Sequence, residues 1–105
     1  MIRGEVRLIK FKEPDKTRPA LILTRTGAIK QLNAVTVIPF TSTIREVRSQ
    51  VLLDETDGME RVCVVNVDNI VTVHKDKIGP YVTQLSEERM TEVFEAIKFA
   101  FGFGK

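Results

Sequence analysis

The chain has little of what disulfides, metal sites and membrane spans require. Its 105 residues include one cysteine, Cys63, and one histidine, His74. A single cysteine cannot close an internal disulfide, and no Cys/His cluster has the spacing of a metal site. No apolar run approaches the roughly 20 residues that cross a bilayer, and the first five residues are too charged for a signal peptide. These absences predict a cytoplasmic protein with no membrane segment, no structural metal and no cofactor.

The charge is modest in sum and uneven in distribution. The formal net charge is +2, and the apolar content of 43% is ordinary for a globular fold. Residues 1–30 hold eight basic and three acidic side chains, a net +5, so the remainder is net −3. A positive first third can attract a polyanion, while the acidic remainder argues against indiscriminate DNA coating. The length predicts a single domain, residues 1–105, and a core so small that dimerisation would be a natural source of further burial.

Apolar runs of strand length dominate the chain before its C-terminal segment. Two of them, residues 20–23 and 35–40, are continuous and rich in branched residues, as in central strands covered on both faces. Polar loops at residues 24–34 and 42–49 separate the runs, and Asp57-Gly58 lies in a strong turn signal. The pattern predicts five or six strands, with further members at residues 6–11, 51–53, 62–67 and 70–74.

A helical period replaces the strand pattern near the C-terminus. Ser86 is a good N-cap, and the carboxylates of Glu87 and Glu88 suit the positive end of a helix. Gly102 ends the segment as helices commonly end. An apolar stripe at helical spacing consists of Met90, Val93, Phe94, Ile97 and Phe101. The expected fold is mainly β, a small barrel or curled sheet, with one helix as a lid.

Two short polar sites flank the strongest strands. Arg18-Pro19 opens the run at residues 20–23, and Thr41-Ser42 closes the run that ends at Phe40. If these strands are neighbours, one guanidinium and two hydroxyls converge on one spot. A planar cation beside hydroxyl donors suits a phosphate, because the guanidinium fork matches two phosphate oxygens. This pattern predicts nucleic-acid binding and chemistry at the nucleic-acid backbone, with Arg18 and Thr41 as candidate catalytic residues.

An RNA substrate would supply its own nucleophile, the ribose 2′-hydroxyl. Attack on the adjacent phosphate leaves a 2′,3′-cyclic phosphate and a 5′-hydroxyl, and cationic stabilisation of that step needs no metal. Arg18 stays protonated at neutral pH, so it is a transition-state stabiliser, whereas Thr41 donates hydrogen bonds and positions the substrate. The general base stays open among four candidates, Glu13, Asp15, Asp68 and His74.

Further candidates for substrate binding lie in the loops. Loops on a rigid sheet commonly carry binding groups, and the two long loops hold four cations that could contact a single strand. The candidate substrate-binding residues are Ser42, Glu13, Arg25, Lys30, Arg45, Arg48 and Asp68.

Five segments together resemble the MazF/PemK-like toxin family, the endoribonucleases of toxin–antitoxin pairs. They are RGEV at 3–6, RPALIL at 18–23, VIPFTS at 37–42, DNIVTVHK at 68–75 and LS at 85–86. The resemblance implies an SH3-like barrel, a homodimer, metal-independent cleavage of single-stranded RNA (mRNA) at short sequences, and inhibition by a cognate antitoxin. The family's catalytic arginine and threonine would fall on Arg18 and Thr41. Asn66 and His74 depart from residues frequent in the family, which bears on the proton-transfer scheme.

Two alternatives accompany the prediction of a growth-arresting endoribonuclease toxin. One is a non-enzymatic toxin of the same fold, similar to the CcdB-type inhibitors that bind a topoisomerase. The other is a catalytically silent SH3-like interaction module, because a fold does not determine a function. The pairing of Arg18 with Thr41 favours the nuclease, since a surface that only binds protein has no evident need for it.

Overall fold

The computed structural model describes residues 1–11 and 17–103, and in these residues seven strands curl into one sheet that a C-terminal helix covers. The helix, α2, follows the last strand and spans Glu87–Ala100. The strands are β1 (Glu5–Lys10), β2 (Thr17–Ile22), β3 (Ala34–Thr41), β4 (Gln50–Leu53), β5 (Cys63–Asn66), β6 (Val71–His74) and β7 (Ile78–Gln84). The prediction of a mainly β fold with a C-terminal helix is confirmed.

Strands β2 and β3 form the centre of the sheet because their side chains are apolar on both faces. Leu21, Ile38 and Phe40 belong to a core cluster that α2 closes. On the opposite face, Ile22 and Val37 belong to a second cluster. All five are at most 4% exposed. The continuous apolar runs therefore cover both faces of the sheet, as predicted.

Strand β3 has three strand neighbours. It pairs with β2 through Val37–Pro39, with β6 through its first half, and with β5 through Phe40 and Thr41. The path through the sheet runs β4-β5-β3-β2-β1-β7, with β6 beside β3. All of these pairings are antiparallel. β3 therefore changes partner near its C-terminal end, and Thr41 lies in the part that pairs with β5.

The start of α2 agrees with the sequence pattern. Ser86 Oγ accepts a hydrogen bond from the Arg89 backbone N–H at 3.2 Å, and Glu87 and Glu88 occupy the first turn. Val93 and Ala96 are buried against the sheet. Phe101, which the apolar stripe included, is 57% exposed and lies beyond the helix. The apolar face of α2 therefore packs on the core only as far as Ala100.

The structure adds two elements to the prediction. A one-turn helix, α1 (Thr26–Ile29), lies inside the segment predicted as a loop. Strand β7 makes seven strands in the described residues, not five or six. Its residues include Gly79 and Pro80, and none of them is fully buried. A half-exposed strand of this composition lacks the apolar pattern by which strands are detected.

No helix in residues 1–11 or 17–103 is long and apolar enough to cross a membrane.

Candidate active site

Arg18 lies near the start of β2, where pairing with β1 fixes the backbone. Arg18 faces Ile9 in that ladder, and Pro19 faces Leu8. The proline fixes its own φ and holds the preceding residue extended, so the arginine side chain leaves a rigid strand. Its Nη1 donates a hydrogen bond of 3.4 Å to the carbonyl oxygen of Phe40. The guanidinium of β2 therefore reaches the backbone immediately before Thr41.

Thr41 ends β3 and is held from two sides. It pairs with Val64 of β5, and its Oγ1 accepts a hydrogen bond from the Thr43 backbone N–H at 3.2 Å. The β2–β3 ladder pairs Ala20 with Pro39, so the same register extended by two residues sets Arg18 opposite Thr41. Both residues are half-buried. The structure thus brings Arg18 and Thr41 to the same end of the strand pair.

A cleft of about 330 Å³ opens on one side of Thr41. We call it the apolar cleft, because aliphatic, aromatic and sulfur-containing side chains form most of its wall. Ser42 lies beside Thr41 at its mouth, together with Glu60 and Arg61 of the segment that follows Gly58. The rest of the lining consists of Leu8, Pro19, Phe40, Met59, Val62, Cys63 and Val82.

A second cleft, of about 340 Å³, lies on the other side of Thr41. We call it the polar cleft, since Arg45 and Asp68 contribute opposite charges to its wall. Gln50 braces the loop above it: its Oε1 accepts from the Arg45 N–H at 2.8 Å, and its Nε2 donates to the Thr43 carbonyl at 3.2 Å. The lining comprises Thr41, Thr43, Arg45, Gln50, Asn66, Asp68 and Asn69. Thr41 is shared by both clefts.

The thiol in the apolar cleft is in its neutral form. Burial of Cys63, and secondly the negative charge of Asp57, raise the pKa of the thiol above its ordinary value of 9.0. A neutral thiol behaves as a small apolar group. Cys63 thus keeps the floor of the apolar cleft uncharged, in agreement with the prediction that it is a small buried residue.

An ion pair anchors the turn that leads to Glu60 and Arg61. Arg89 Nε of α2 donates to Asp57 Oδ1 at 2.9 Å, and Nη2 donates to Oδ2 at 3.2 Å. Burial alone would raise the pKa of the Asp57 carboxyl, but hydrogen bonds from Arg89 and the Asp54 backbone, with the Arg89 charge, lower it below 3.8. The hydrogen bond to Asp57 is the main reason that the pKa of Arg89 is raised. The turn is therefore fixed to the helix by paired charges.

Several predicted site residues lie elsewhere. Arg25 and Lys30 are in the β2–β3 connection, at the opposite end of these strands from Thr41. The Arg48 guanidinium carbon lies 4.4 Å from the centre of the Phe99 ring, on the α2 side. Arg25 and Lys30 are not brought to Thr41, because an antiparallel connection lies at the far end of the strands it joins, and Arg48 contacts Phe99 of α2 instead.

Two of the four candidate bases can be placed relative to Thr41. Asp68 lines the polar cleft with Thr41. His74 pairs with Ala34 at the start of β3, seven residues from Thr41, which is about 23 Å along a strand. His74 is too far from Thr41 to take a proton there. Glu13 and Asp15 lie outside the described residues.

Four polar residues of the two clefts were not among the site residues predicted from the sequence. Gln50 and Asn66 face the polar cleft, and Glu60 and Arg61 line the apolar cleft. They lie near Thr41 because β5 pairs with β3 across 22 intervening residues in the sequence, and β4, which carries Gln50, pairs with β5. Charged residues between a turn and a buried strand are common on protein surfaces. Only the strand pairing distinguishes Glu60 and Arg61 from ordinary surface residues.

Comparison with known proteins places the chain in a family. A family model, described as PemK-like, MazF-like toxin of type II toxin-antitoxin system, matches residues 2–101. Endoribonuclease MazF3 of Mycobacterium tuberculosis is 35% identical over 96 residues, 91% of this chain and 93% of that protein. The solved structure of Mycobacterium tuberculosis toxin MazF-mt6 has a TM-score of 0.88 at 32% identity, covering 96% of this chain and 99% of the other.

A further solved structure shares the fold at lower identity. It is an endoribonuclease from a mycobacterial species in complex with its cognate antitoxin, with a TM-score of 0.86 at 24% identity, covering 100% of this chain and 98% of that chain. With the family model spanning residues 2–101 and a relative at 35% identity, the chain belongs to the PemK-like, MazF-like toxins of type II toxin–antitoxin systems.

Proposed function

We propose that this chain is a sequence-selective, metal-independent endoribonuclease that cleaves single-stranded RNA and is neutralised by a cognate antitoxin. The observation that carries the proposal is that Arg18 donates to the Phe40 carbonyl immediately before Thr41, a residue that lines two open clefts, in a chain of the PemK/MazF family. The relatives named as endoribonucleases support this function over a CcdB-like toxin or a silent interaction module. Residues 1–105 act as one domain, in the cytoplasm.

The reaction is an intramolecular transesterification. The 2′-oxygen of the ribose attacks the adjacent phosphorus, the bond from phosphorus to the 5′-oxygen breaks, and a 2′,3′-cyclic phosphate remains. A base removes the 2′-hydroxyl proton, and the leaving 5′-oxygen acquires a proton. Negative charge accumulates on the non-bridging oxygens in the transition state. Fixed donors aimed at that charge accelerate the step because they need no reorganisation.

Arg18 supplies the positive charge at the phosphate. Its guanidinium is already oriented by the Phe40 carbonyl, and its fork can donate to two phosphate oxygens. A guanidinium remains protonated throughout, so Arg18 stabilises charge and is not the base. Because this cation can perform the electrostatic task, the mechanism requires no metal ion.

Thr41 and Ser42 position the phosphate. The Thr41 Oγ1 accepts from the Thr43 N–H, which leaves its own hydroxyl proton available to a phosphate oxygen. Ser42 is exposed at the next position. Asp68 lies in the polar cleft with Thr41 and is a described carboxylate placed to accept a proton. Glu13 remains a second candidate for that role and for substrate binding.

The polar cleft and the nearby loop guide the RNA strand. Arg45 lines that cleft, so its guanidinium can neutralise a phosphate next to the cleavage site. Arg25, Lys30 and Arg48 lie farther from Thr41 and would contact only distant parts of a strand. Loss of a phosphate contact weakens binding to all sequences alike.

Two protein partners belong to the proposal. A cognate antitoxin is supported by the family and by the related fold solved with its antitoxin. A second copy of the chain is supported by apolar side chains exposed near the C-terminus: Phe99, Phe101 and Phe103 are 40%, 57% and 82% exposed. Exposed aromatic groups of this kind are typical of interaction surfaces.

The test uses purified protein, single-stranded RNA and excess chelator, with analysis of the product ends. We expect cleavage in chelator, with 2′,3′-cyclic phosphate and 5′-hydroxyl termini. A substrate that carries 2′-deoxyribose at the cleaved position should resist, because it lacks the attacking oxygen. Cleavage that requires a divalent metal, or equal cleavage of the deoxy substrate, would refute the mechanism. Intact RNA with a co-purifying gyrase subunit would favour the CcdB-like alternative.

A further inference from the structure

The apolar cleft has the properties of a site for a flat, uncharged group with polar edges. Its volume of about 330 Å³ lies within the range of small-molecule sites, about 300–1,000 Å³. Phe40 and Met59 are nearly buried and still face it, and Pro19 lies on its wall. Phosphate binding explains none of this apolar surface. A phosphate would lose hydration there without gaining donors.

The cleft is connected to the proposed site of cleavage. Pro19 follows Arg18 directly, and Thr41 and Ser42 are themselves part of the lining. A nucleotide whose phosphate contacts Arg18 and Thr41 can therefore place its base in the cleft. Proteins that read single-stranded RNA commonly turn bases out of the stack and bind their faces on apolar and aromatic side chains.

Two oppositely charged side chains of the cleft lining have no polar partner in the described part of the chain. Glu60 and Arg61 are exposed, and within residues 1–11 and 17–103 neither side chain forms a hydrogen bond or an ion pair. Asp57, three residues before Glu60, is by contrast paired with Arg89 of α2. The turn that carries Glu60 and Arg61 is anchored through that pair, so both side chains extend from a fixed segment.

We propose that the apolar cleft binds one guanine next to the cleaved phosphate, and that Glu60 and Arg61 select it. A carboxylate offers two acceptors side by side, and a guanidinium offers two donors side by side. Guanine presents adjacent donors at N1 and N2 on one edge and adjacent acceptors at O6 and N7 on the other. Adenine, cytosine and uracil lack one or both of these pairs. The assignment rests on the proposed function, which supplies the RNA, and it adds the residues that determine base preference.

The test measures base preference by binding, so that it does not depend on cleavage. A randomised pool of single-stranded 2′-fluoro oligonucleotides, which lack the attacking hydroxyl, is incubated with the folded protein, and the bound fraction is sequenced. We expect wild type to prefer guanine at one position by about 5- to 150-fold, as for a good bidentate contact. The Glu60→Gln and Arg61→Ala variants should reduce that preference to within about threefold and leave the other positions unchanged.

Modified bases assign each edge to its side chain. Inosine lacks the 2-amino group, and 7-deazaguanine lacks the N7 acceptor. Inosine should weaken binding to wild type but not to Glu60→Gln, and 7-deazaguanine should weaken binding to wild type but not to Arg61→Ala. The control is Glu88→Gln, which removes another exposed and unpaired carboxylate, on α2. It should keep the wild-type preference at every position.

Three results would overturn the assignment: no guanine preference in wild type, unchanged preference in both variants, or a uniform loss of affinity for all sequences. The last would mean that Arg61 contacts phosphate only. Cleavage of the matching ribo-oligonucleotide is measured separately. If the guanine preference depends on Glu60 and Arg61 but no RNA is cut, the proposed function fails while the guanine site stands. If RNA is cut but no guanine preference is found, the guanine site fails while the proposed function stands.

Discussion

The two ends of the β2–β3 strand pair use the same kinds of polar residue in different ways. The site end holds Arg18, at the start of β2, and Thr41, at the end of β3. The loop end comprises residues 23–33, the connection between the strands. At the site end Thr41 lines two open clefts, and Arg18 donates to the carbonyl of the residue before it. At the loop end three polar side chains, those of Arg3, Thr24 and Lys75, hydrogen-bond to the backbone.

The loop end is a network of side chain to backbone hydrogen bonds. Arg3 Nε donates to the Leu23 carbonyl at 2.8 Å, and the Thr36 N–H donates to Thr24 Oγ1 at 2.7 Å. Lys75 Nζ donates to the Ile29 carbonyl at 2.8 Å. These contacts satisfy backbone groups that an irregular connection leaves without ladder partners. Residue type therefore does not distinguish a binding group from a structural one, whereas position in the fold does.

The largest expected difference between the two ends is in activity. We expect Arg18→Ala and Thr41→Ala each to lower the rate of RNA cleavage by about 100-fold or more, the usual cost of removing a transition-state donor. Matched controls are Lys98→Ala, an exposed cation on α2, and Thr72→Ala, whose hydroxyl bonds Thr36. Single-turnover rates should stay within about twofold of wild type in both controls. If Lys98→Ala lowered the cleavage rate as much as Arg18→Ala, or Thr72→Ala as much as Thr41→Ala, the assignment of the site end would be contradicted.

A second comparison concerns the ion pair behind the apolar cleft. Arg89→Gln should lower the free energy of unfolding by about 2 kcal/mol at pH 7, since it leaves the Asp57 carboxyl, 9% exposed, without its charged partner. The folded pKa of Asp57 is below 3.8, so this carboxyl stabilises the fold above that pH. The stabilisation is lost as the pH falls through the folded pKa.

Urea unfolding of wild type and Arg89→Gln at a series of pH values checks the sign. The difference between the two proteins should be constant from about pH 7 to 5 and shrink below about pH 4. A difference that grows in acid would mean that Asp57 is not the group involved. Glu92→Gln, which removes the exposed partner of Arg89, should change the unfolding free energy by less than about 0.5 kcal/mol.

Stability, not catalysis, should respond at the loop end. Thr24→Val removes the acceptor of the Thr36 N–H and should cost about 1 kcal/mol. Cleavage by the folded fraction should be unchanged. The matched control at the site end is Thr43→Val, an exposed threonine, which should lower stability by less than about 0.5 kcal/mol. Thermal unfolding of the three proteins at one pH measures the difference.

The smallest expected effect is a difference in the salt dependence of RNA binding between a cation of the site end and a cation of the loop end. Arg45→Ala should weaken binding of single-stranded RNA and reduce the slope of log affinity against log salt by about 0.7, the value for one phosphate contact on a single strand. Arg25→Ala should change the slope by less than half as much, because Arg25 lies at the loop end. Fluorescence anisotropy titrations across a salt series give both slopes. Equal slopes would show that the strand extends along the whole sheet.

The sequence predicted those features that depend on local pattern. The central strands followed from continuous apolar runs, and the start of α2 followed from Ser86 and the two glutamates after it. Strand β7 was missed because Gly79 and Pro80 interrupt it and it has no buried face. Arg18 and Thr41 could be singled out because each lies at the end of an apolar run, with a proline one or two residues away.

Residues brought in by pairing between distant strands could not be predicted. Glu60 and Arg61 reach the apolar cleft only because β5 lies against the end of β3. The expectation that Arg25 and Lys30 flank the site treated both long loops as equivalent. In an antiparallel pair they are at opposite ends, and local sequence does not reveal which end a ligand uses.

The exchange of neighbours along β3 also limits when the toxin can act. Thr41 is fixed by its pairing with Val64, which is synthesised 23 residues later. Until β5 has left the ribosome and folded back, the end of β3 that carries the threonine lacks this second strand neighbour. A nascent or prematurely terminated chain that ends before Cys63 lacks that neighbour, and we expect it to leave the messages around it uncut.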